Sequence, residues 1–538
     1  MQIATGDPPA DRLSYPDTLA VVVEEFARVL GVDPGERGNF FELGGDSLRG
    51  ALAVVEIGRR LGVSLTLQDL FEYAVASELA VAARQAPWAV ERPAERTAST
   101  EELPISYMQQ NRFLRVTRAM RQGKPPFQVL VPFGIAIRGA LSDADIERAL
   151  GKVVACHEAL RTGFRLDTET DRVTPFVVPA TEASLVLERR SHRDVPADRW
   201  ASVCDADLSQ LSGCPMDLTA PPLLRARLCR FSEDHAVLLL AAEHQIFDGR
   251  SEGIFRSELA MALRRPDEDL PAPVQYLDWI RGQHRFLDSP AAGRALGHWR
   301  HALSGTRPYP DLDLPVPVAP AEDSYAVLCD VLAAESLASL RRSVGTANAT
   351  PFVAFLTAAA VSWQRISDHP DAIIHFPCEN RQADGAERVI GWLAHSLILR
   401  ARLGGVRTWR EALRLVRDAV VASFEHQAMP FAKVIQALQP GMHGTATRQA
   451  RLFATYEAAE ENVDRVPGGD LRPLPRSEQT RFADAGVTFS ASETAAGLRL
   501  ATIWDPRAVD RDHIKRLHQG VVSGMLQMSH QLTAPIES

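Results

Sequence analysis

Two short stretches of the chain carry residue types that can do chemistry. In Glu243-His244-Gln245-Ile246-Phe247-Asp248-Gly249, a histidine follows the apolar run AVLLLAA at 236–242 and precedes a glycine. Imidazole exchanges protons near neutral pH, so His244 qualifies as a base or as a hydrogen-bond donor to a developing charge. Asp248, four residues on, suits pairing with an arginine that would fix the loop. For an isolated histidine at a strand end, satisfying a backbone group is the commoner role. The second stretch is Gly44-Gly45-Asp46-Ser47, where glycines permit a sharp turn and a helix should begin at Asp46 or Ser47. A serine opening a helix lies beside unpaired backbone N–H groups, where the helix dipole favours a phosphate diester. The plainer reading of GGDS alone is an N-cap.

The elements that must hold these residues follow from hydrophobic period. Leu19, Val22, Val23, Phe26, Val29 and Leu30 recur at helical spacing after Pro16 and Asp17. A second helix should carry Leu48, Leu52, Val55 and Leu61 inward, a short one Leu67, Leu70 and Phe71, and a last one Val75, Leu79 and Ala82. Residues 87–102 are polar, with two prolines and no sustained period, and read as a linker. Strands and helices then alternate. Residues 127–138 read as a buried strand, and Ser142–Phe164 as a helical stretch opened by a capping box at Ser142 and Asp145. The run at 236–242 reads as a strand buried on both faces. A helix at 351–366 and a strand at 372–377 repeat the pattern.

Bulk composition sets the frame. A chain of 538 residues exceeds one compact core, so two or three domains are expected. A net charge of −9 with no basic cluster speaks against a nucleic-acid surface. No apolar run is of bilayer length, and the first twenty residues lack signal-peptide character, so a cytoplasmic protein without membrane contact is expected. Six cysteines form no Cys-x-x-Cys pair and fit no zinc spacing, so they read as buried thiols and no metal is expected.

Local context extends both readings. FFELGGDSL, residues 40–48, closely resembles the core motif of peptidyl carrier domains, with flanking helices at matching distances. The 243–249 segment resembles the HHxxxDG signature of condensation domains of nonribosomal peptide synthetases, with Glu243 in place of the first His. Further likenesses follow in the family's order: LPISYMQQNRFL from Leu103, HEALRTGF from His157, PMDLTAPPLLRARL from Pro215, YLDW from Tyr276, IGWLAHSL from Ile390 and HQAMPFAKV from His426.

The resemblance implies a carrier domain at 1–86, a small four-helix bundle, and a condensation domain at 103–538. The latter would have a two-lobed α/β fold like chloramphenicol acetyltransferase, with lobes at about 103–275 and 276–538 and a tunnel between them. It implies 4′-phosphopantetheine on Ser47 beside Asp46, attached by a separate transferase, and a docking face that includes Leu48 and Phe71. It makes His244 the catalytic residue of an acyltransferase that joins the carrier-bound acyl group to an amine or an alcohol. It gives Glu243, Asp248 and Gly249 supporting roles, with Arg161 or Arg381 as the partner of Asp248. Trp392, His395 and Ser396 would line the tunnel. His395 stands where the family usually has Asn, and Asn380 where Gly usually precedes Arg381. No adenylation region is recognised, so an upstream synthetase module should supply the acyl group. A downstream carrier or a free small molecule should accept it. Epimerization of the carrier-bound residue is the main rival, favoured by GGDS and Trp392, and a non-catalytic docking domain is the second.

Overall fold

The computed structural model describes residues 13–45, 47–87, 103–123, 128–167, 169–306, 325–367, 369, 371–439, 451–458, 463–474 and 486–536. The first part is a helical bundle of α1 (Tyr15–Leu30), α2 (Ser47–Leu61), α3 (Leu67–Glu72) and α4 (Ala76–Gln85). Val22, Phe26, Ile57, Leu70 and Leu79 are fully buried and form its core with Phe40. Helix α1 stops at Gly31, whose φ of 72° is the left-handed ending that glycine adopts without strain. Thr66 and Asp69 cap α3 reciprocally. The expected linker lies outside the described residues except for Pro87.

Two six-stranded sheets follow, each with its own core. The first is built on β1 (Leu130–Gly139), β4 (Leu187–Ser191), β5 (Leu224–Arg230) and β6 (His235–Glu243). A two-stranded hairpin, β2 (Thr162–Asp167) with β3 (Arg172–Val177), lies apart. Strand β6 pairs antiparallel with β1 on one side and β5 on the other, and Ala236–Glu243 are all buried. Covered edges and covered faces explain why AVLLLAA is apolar without alternation. Around the sheet lie α5 (Tyr107–Arg121), α6 (Asp143–Cys156), α7 (Trp200–Ser212) and α8 (Gly249–Arg264). Helix α6 stops eight residues short of the expected end, and Glu158–Arg161 form a 3₁₀ turn leading into β2. Ser142 caps α6 by accepting from the Asp145 N–H at 3.1 Å. Its hydroxyl donates to the Asp145 carboxylate, so the reciprocal half of the expected box is absent.

The second sheet runs β7-β14-β13-β10-β8-β9: β7 (Ala326–Ala333), β8 (Ala372–Cys378), β9 (His395–Ala401), β10 (Arg451–Glu457), β13 (Gly486–Thr494) and β14 (Gly497–Trp504). It is covered by α11 (Ala334–Gly345), α12 (Pro351–Ile366), α13 (Trp409–Glu425) and α15 (Arg511–His530). Strand β8 and helix α12 stand where the apolar patterns place them. Helices α9 (Tyr276–Leu287) and α10 (Pro290–Ala302) link the halves, with α14 (Phe431–Leu438) beside α10.

A simple division at 276 does not describe the chain. Strands β11 (Asp464–Val466) and β12 (Gly469–Pro473) leave the second half and extend the first sheet, β12 pairing with β1 from Ile135↔Pro473 to Gly139↔Gly469. Tyr276, Leu277 and Ile280 likewise belong to the first core, as do Val389, Ile390, Trp392 and Leu393.

The bundle rests on the second half of the chain. Val421 and Phe424 of α13 join its core cluster. Asn348 accepts from Asn39 at 3.3 Å and donates to the Phe71 carbonyl at 3.1 Å. Phe71 is therefore covered, 4% exposed and stacked on Phe41, rather than offered as an open docking residue. The side chain of Leu48 lies outside the described residues.

Candidate active site

His244 is the first residue beyond β6, held in place before any substrate arrives. Its N–H donates to the Val129 carbonyl at 3.0 Å. Its Nδ1 lies 2.7 Å from the Phe247 carbonyl, an acceptor only, so Nδ1 carries the hydrogen and the neutral ring has its lone pair on Nε2. Among the described residues Nε2 meets no protein partner. The Trp392 ring lies 4.7 Å from the imidazole, and the Arg112 guanidinium 5.8 Å from the Trp392 ring. Burial, reinforced by the charge of Arg112, holds the proton affinity of His244 below that of an ordinary histidine. The ring is therefore neutral at neutral pH, with an open nitrogen that can take a proton.

The loop after His244 is pinned from three sides. Gln109 on α5 donates to the Gln245 carbonyl at 2.7 Å and accepts from the Ser106 N–H at 2.8 Å. Asp248 caps α8, accepting from the Ser251 N–H at 2.9 Å. It is fully buried, and Arg381 is its charge partner, with Nη2 at 2.8 and 3.1 Å from the two carboxylate oxygens. The N–H groups of Leu393 and Ala394, each at 3.1 Å, complete its shell. Burial alone would raise the Asp248 pKa, but Arg381 and these donors outweigh it and keep it low. Arg381 also donates to the Ala386 and Val389 carbonyls at 2.8 and 2.6 Å, so one guanidinium ties the α8 cap to the loop bearing Trp392. Arg161, the other candidate, instead donates to the Val178 carbonyl at 2.5 Å.

Arg381→Ala should cost about 3 kcal/mol of stability, because it strands a buried carboxylate whose other donors remain. Urea unfolding measures this, and a midpoint close to that of the parent protein would show that the pair is incidental.

The remaining expected residues take other positions. Asn380 has φ of 53°, the left-handed region, which explains why glycine suits this place and why asparagine is tolerated. Gly249 is exposed at the start of α8, and a Cβ there would touch nothing within 4 Å. Nothing in the fold demands glycine at that position; it leaves open space beside the loop. His395, at the start of β9, is 7% exposed, with Nε2 2.7 Å from the Gln427 carbonyl and Nδ1 3.0 Å from the Ser396 carbonyl; burial keeps the ring neutral, so its single N–H donates to one of the two. It serves as a strand anchor. Ser396 beside it is half-buried and pairs with Pro377. Tyr276 of YLDW donates to the Trp392 carbonyl at 2.9 Å. Glu243 is 1% exposed, and desolvation pushes its carboxyl up to about 7 despite the opposing charge of Arg112.

Arg112 and Gln109 were missed as site residues. Both stand in LPISYMQQNRFL, but no local spacing connects Gln109 on α5 to a loop 136 residues later. Cys156, His157 and Glu258 converge, as do His192, Asp207 and Cys229. Their carboxylates are met by arginines, Arg388 at 3.0 Å from Glu258 and Arg190 at 2.5 Å from Asp207, which makes them packing clusters.

The carrier site is simpler. Ser47 is the first residue of α2, after Gly44 with φ of 92°. Gly45 lies against Phe40, whose ring would be 2.3 Å from an added Cβ. The turn thus needs both glycines to bring the chain to a helix start, which suits a phosphate. Asp46 lies outside the described residues.

Comparison with known proteins bears on both sites. The condensation-domain model matches residues 99–537, and the phosphopantetheine attachment-site model matches residues 20–82. The chain belongs to the condensation-domain family. It bears a phosphopantetheine attachment domain ahead of that domain, so its cofactor is covalently attached 4′-phosphopantetheine. It is similar to a linear gramicidin synthase of Brevibacillus parabrevis, 28% identical over 93% of this chain and 10% of that protein. It is 32% identical to phosphinothricin tripeptide synthetase PhsC of Streptomyces viridochromogenes over 62% of this chain and 30% of that one. The chain spans about a tenth or less of the linear gramicidin synthases it matches. The fold is shared with the first condensation domain of the calcium-dependent antibiotic synthetase, at TM-score 0.62 and 18% identity over 81% of this chain and 99% of that one. It is also shared with the epimerization domain of tyrocidine synthetase B, at 0.64 and 16% over 82% and 98%. As a member of this family the condensation domain is an acyl-transferring enzyme. Among the described residues no helix is long and apolar enough to cross a membrane.

Proposed function

We propose that the protein condenses an acyl or peptidyl group held at Ser47 with an acceptor amine, using His244 as the proton acceptor. The observation that carries this reading is the Nδ1 contact to the Phe247 carbonyl, which leaves Nε2 as a lone-pair nitrogen on a neutral ring. When attached, 4′-phosphopantetheine supplies the thiol that holds the acyl group as a thioester. Nε2 of His244 would accept the proton that the amine loses as its nitrogen bonds to the acyl carbon; the carbon–sulfur bond then breaks, and the proton passes to the departing thiolate. Trp392 shields the ring, Asp248 with Arg381 fixes the loop, and the open space at Gly249 leaves room beside it. A phosphopantetheinyl transferase installs the arm, an upstream module in the cytoplasm loads it, and a downstream carrier or free small molecule supplies the acceptor.

Intact-protein mass spectrometry tests this. A promiscuous phosphopantetheinyl transferase and an aminoacyl-CoA load the protein, and an amine or an alcohol is then added. Condensed amide is expected, with loss of the acyl mass from the protein; an alcohol that reacts instead gives the ester. Exchange of the α-hydrogen with deuterated solvent, without product, would make the domain an epimerase. Neither outcome, with loading intact, would make it a docking platform.

A further inference from the structure

Two segments of the bundle bracket the turn that leads to Ser47. Asn39–Glu42 precede it in the chain. Helix α3 flanks it in space, since a Cβ on Gly50, in the first turn of α2, would meet Leu70 at 2.8 Å and Leu67 at 3.3 Å. The condensation domain engages both brackets. Asn348 accepts from the Asn39 side chain at 3.3 Å and donates to the Phe71 carbonyl, near the end of α3, at 3.1 Å. One side chain thus spans the two. Its backbone has φ of 48°, the left-handed region that glycine enters freely; the asparagine there uses both ends of its amide. Gly345 ends α11, and a Cβ on it would lie 3.2 Å from the Cα of Glu42 and 3.3 Å from its N. The missing side chain is what lets the Asn39–Glu42 loop close on this helix. Beside these contacts Val421 and Phe424 of α13 meet the bundle core. The contact is not attractive throughout: burial raises the Glu425 carboxyl on α13, and the like charge of Asp69 on α3 adds to the rise. A surface of this kind holds the bundle and can also release it.

We propose that Gly345, Asn348, Val421 and Phe424 form a docking surface for this chain's own carrier that shuts out the phosphopantetheinyl transferase, so that Ser47 receives its arm only while the bundle is undocked. The inference rests on attachment at Ser47 and is independent of the chemistry at His244. In attachment the Ser47 oxygen bonds to the phosphorus that bears pantetheine in coenzyme A, the pyrophosphate P–O bond breaks, adenosine bisphosphate leaves and the hydroxyl proton passes to solvent. An enzyme that carries this out has to grip the bundle around the Ser47 turn, and two proteins cannot cover one surface together. Each contact that holds the bundle on α11 and α13 therefore lowers the fraction of molecules open to the transferase, and the rate of attachment falls with that fraction.

Two substitutions outside both reaction centres test this in the full chain. Asn348→Gly keeps the left-handed turn and removes both hydrogen bonds. Gly345→Leu sets a side chain against Glu42. Apo protein is treated with limiting transferase and coenzyme A, and attachment is followed by intact mass. Each variant should gain the arm faster than wild type. The double variant should gain it about tenfold faster, the factor that goes with two lost hydrogen bonds of ordinary strength. Small-angle scattering of the same apo samples reads docking without any loading, and the radius of gyration should rise in the double variant as the bundle comes away. A released bundle that gains its arm at the wild-type rate overturns the proposal. A bundle that stays docked in the double variant overturns it as well, because these residues would not be what holds it. If no form gains the arm, attachment at Ser47 fails separately, while scattering still decides whether this surface holds the bundle.

Discussion

His244→Ala is expected to slow amide formation by about 10²- to 10⁴-fold, the range for removing a general base, with loading of Ser47 unchanged. The loop stands without this ring: Gln109 still holds Gln245, and Arg381 still holds Asp248 and the segment before Trp392. What disappears is the Nδ1 bond to Phe247 and the packing on Trp392, worth about 1 kcal/mol of stability for the bond. The fall therefore belongs in kcat rather than in folding. Single-turnover release of the acyl group from the loaded protein measures it. A loss below tenfold would mean that holding the reactants together supplies the rate, and the proton-acceptor role would have to be withdrawn.

Ser47→Ala should remove covalent attachment altogether. Phosphopantetheine needs an oxygen nucleophile, and alanine has none. The position opens α2, where alanine is a good helix former, so the bundle should keep its fold. Circular dichroism of the variant should match wild type while the mass stays at the apo value. A variant that still gains the arm would place the attachment on another residue. Together the two substitutions separate loading from transfer, because His244→Ala loads and does not turn over, whereas Ser47→Ala never enters the cycle.

Much of the fold was legible wherever a local rule operates. Helical period places α1 and α4, and an unbroken apolar run marks β6 because that strand is covered on both faces and both edges. Ser47 and His244 are candidates on the resemblance of their motifs, since turn glycines and a strand end alone suit an N-cap and a backbone-satisfying histidine equally well. The site's supports were not legible. Choosing Arg381 over Arg161 for Asp248 depends on a fold-back across 133 residues. Arg112 reaches the site through a helix whose own period says nothing about its partners. Asn380 shows the converse: a departure from the family's usual Gly is explained by the backbone, since the position has a left-handed φ that Asn also adopts. His395 was expected to line the tunnel; its ring lies between the Gln427 and Ser396 carbonyls, an anchoring position that only the fold reveals. The early end of α6 followed the Cys156-His157 break, where tertiary contacts overrode a periodic face that ran on to Leu160.

The visit of β12 to the neighbouring sheet has a mechanical consequence. Glu457 closes a strand of one half and Asp464 opens a strand of the other. Seven peptide units can reach at most about 25 Å when fully stretched. The halves are thus buckled together by covalent chain: they can twist or rock about this strap, but they cannot come apart while β12 stays stitched to β1. Proteins made as separate halves would leave β1 with a bare edge, prone to pairing with the wrong strand.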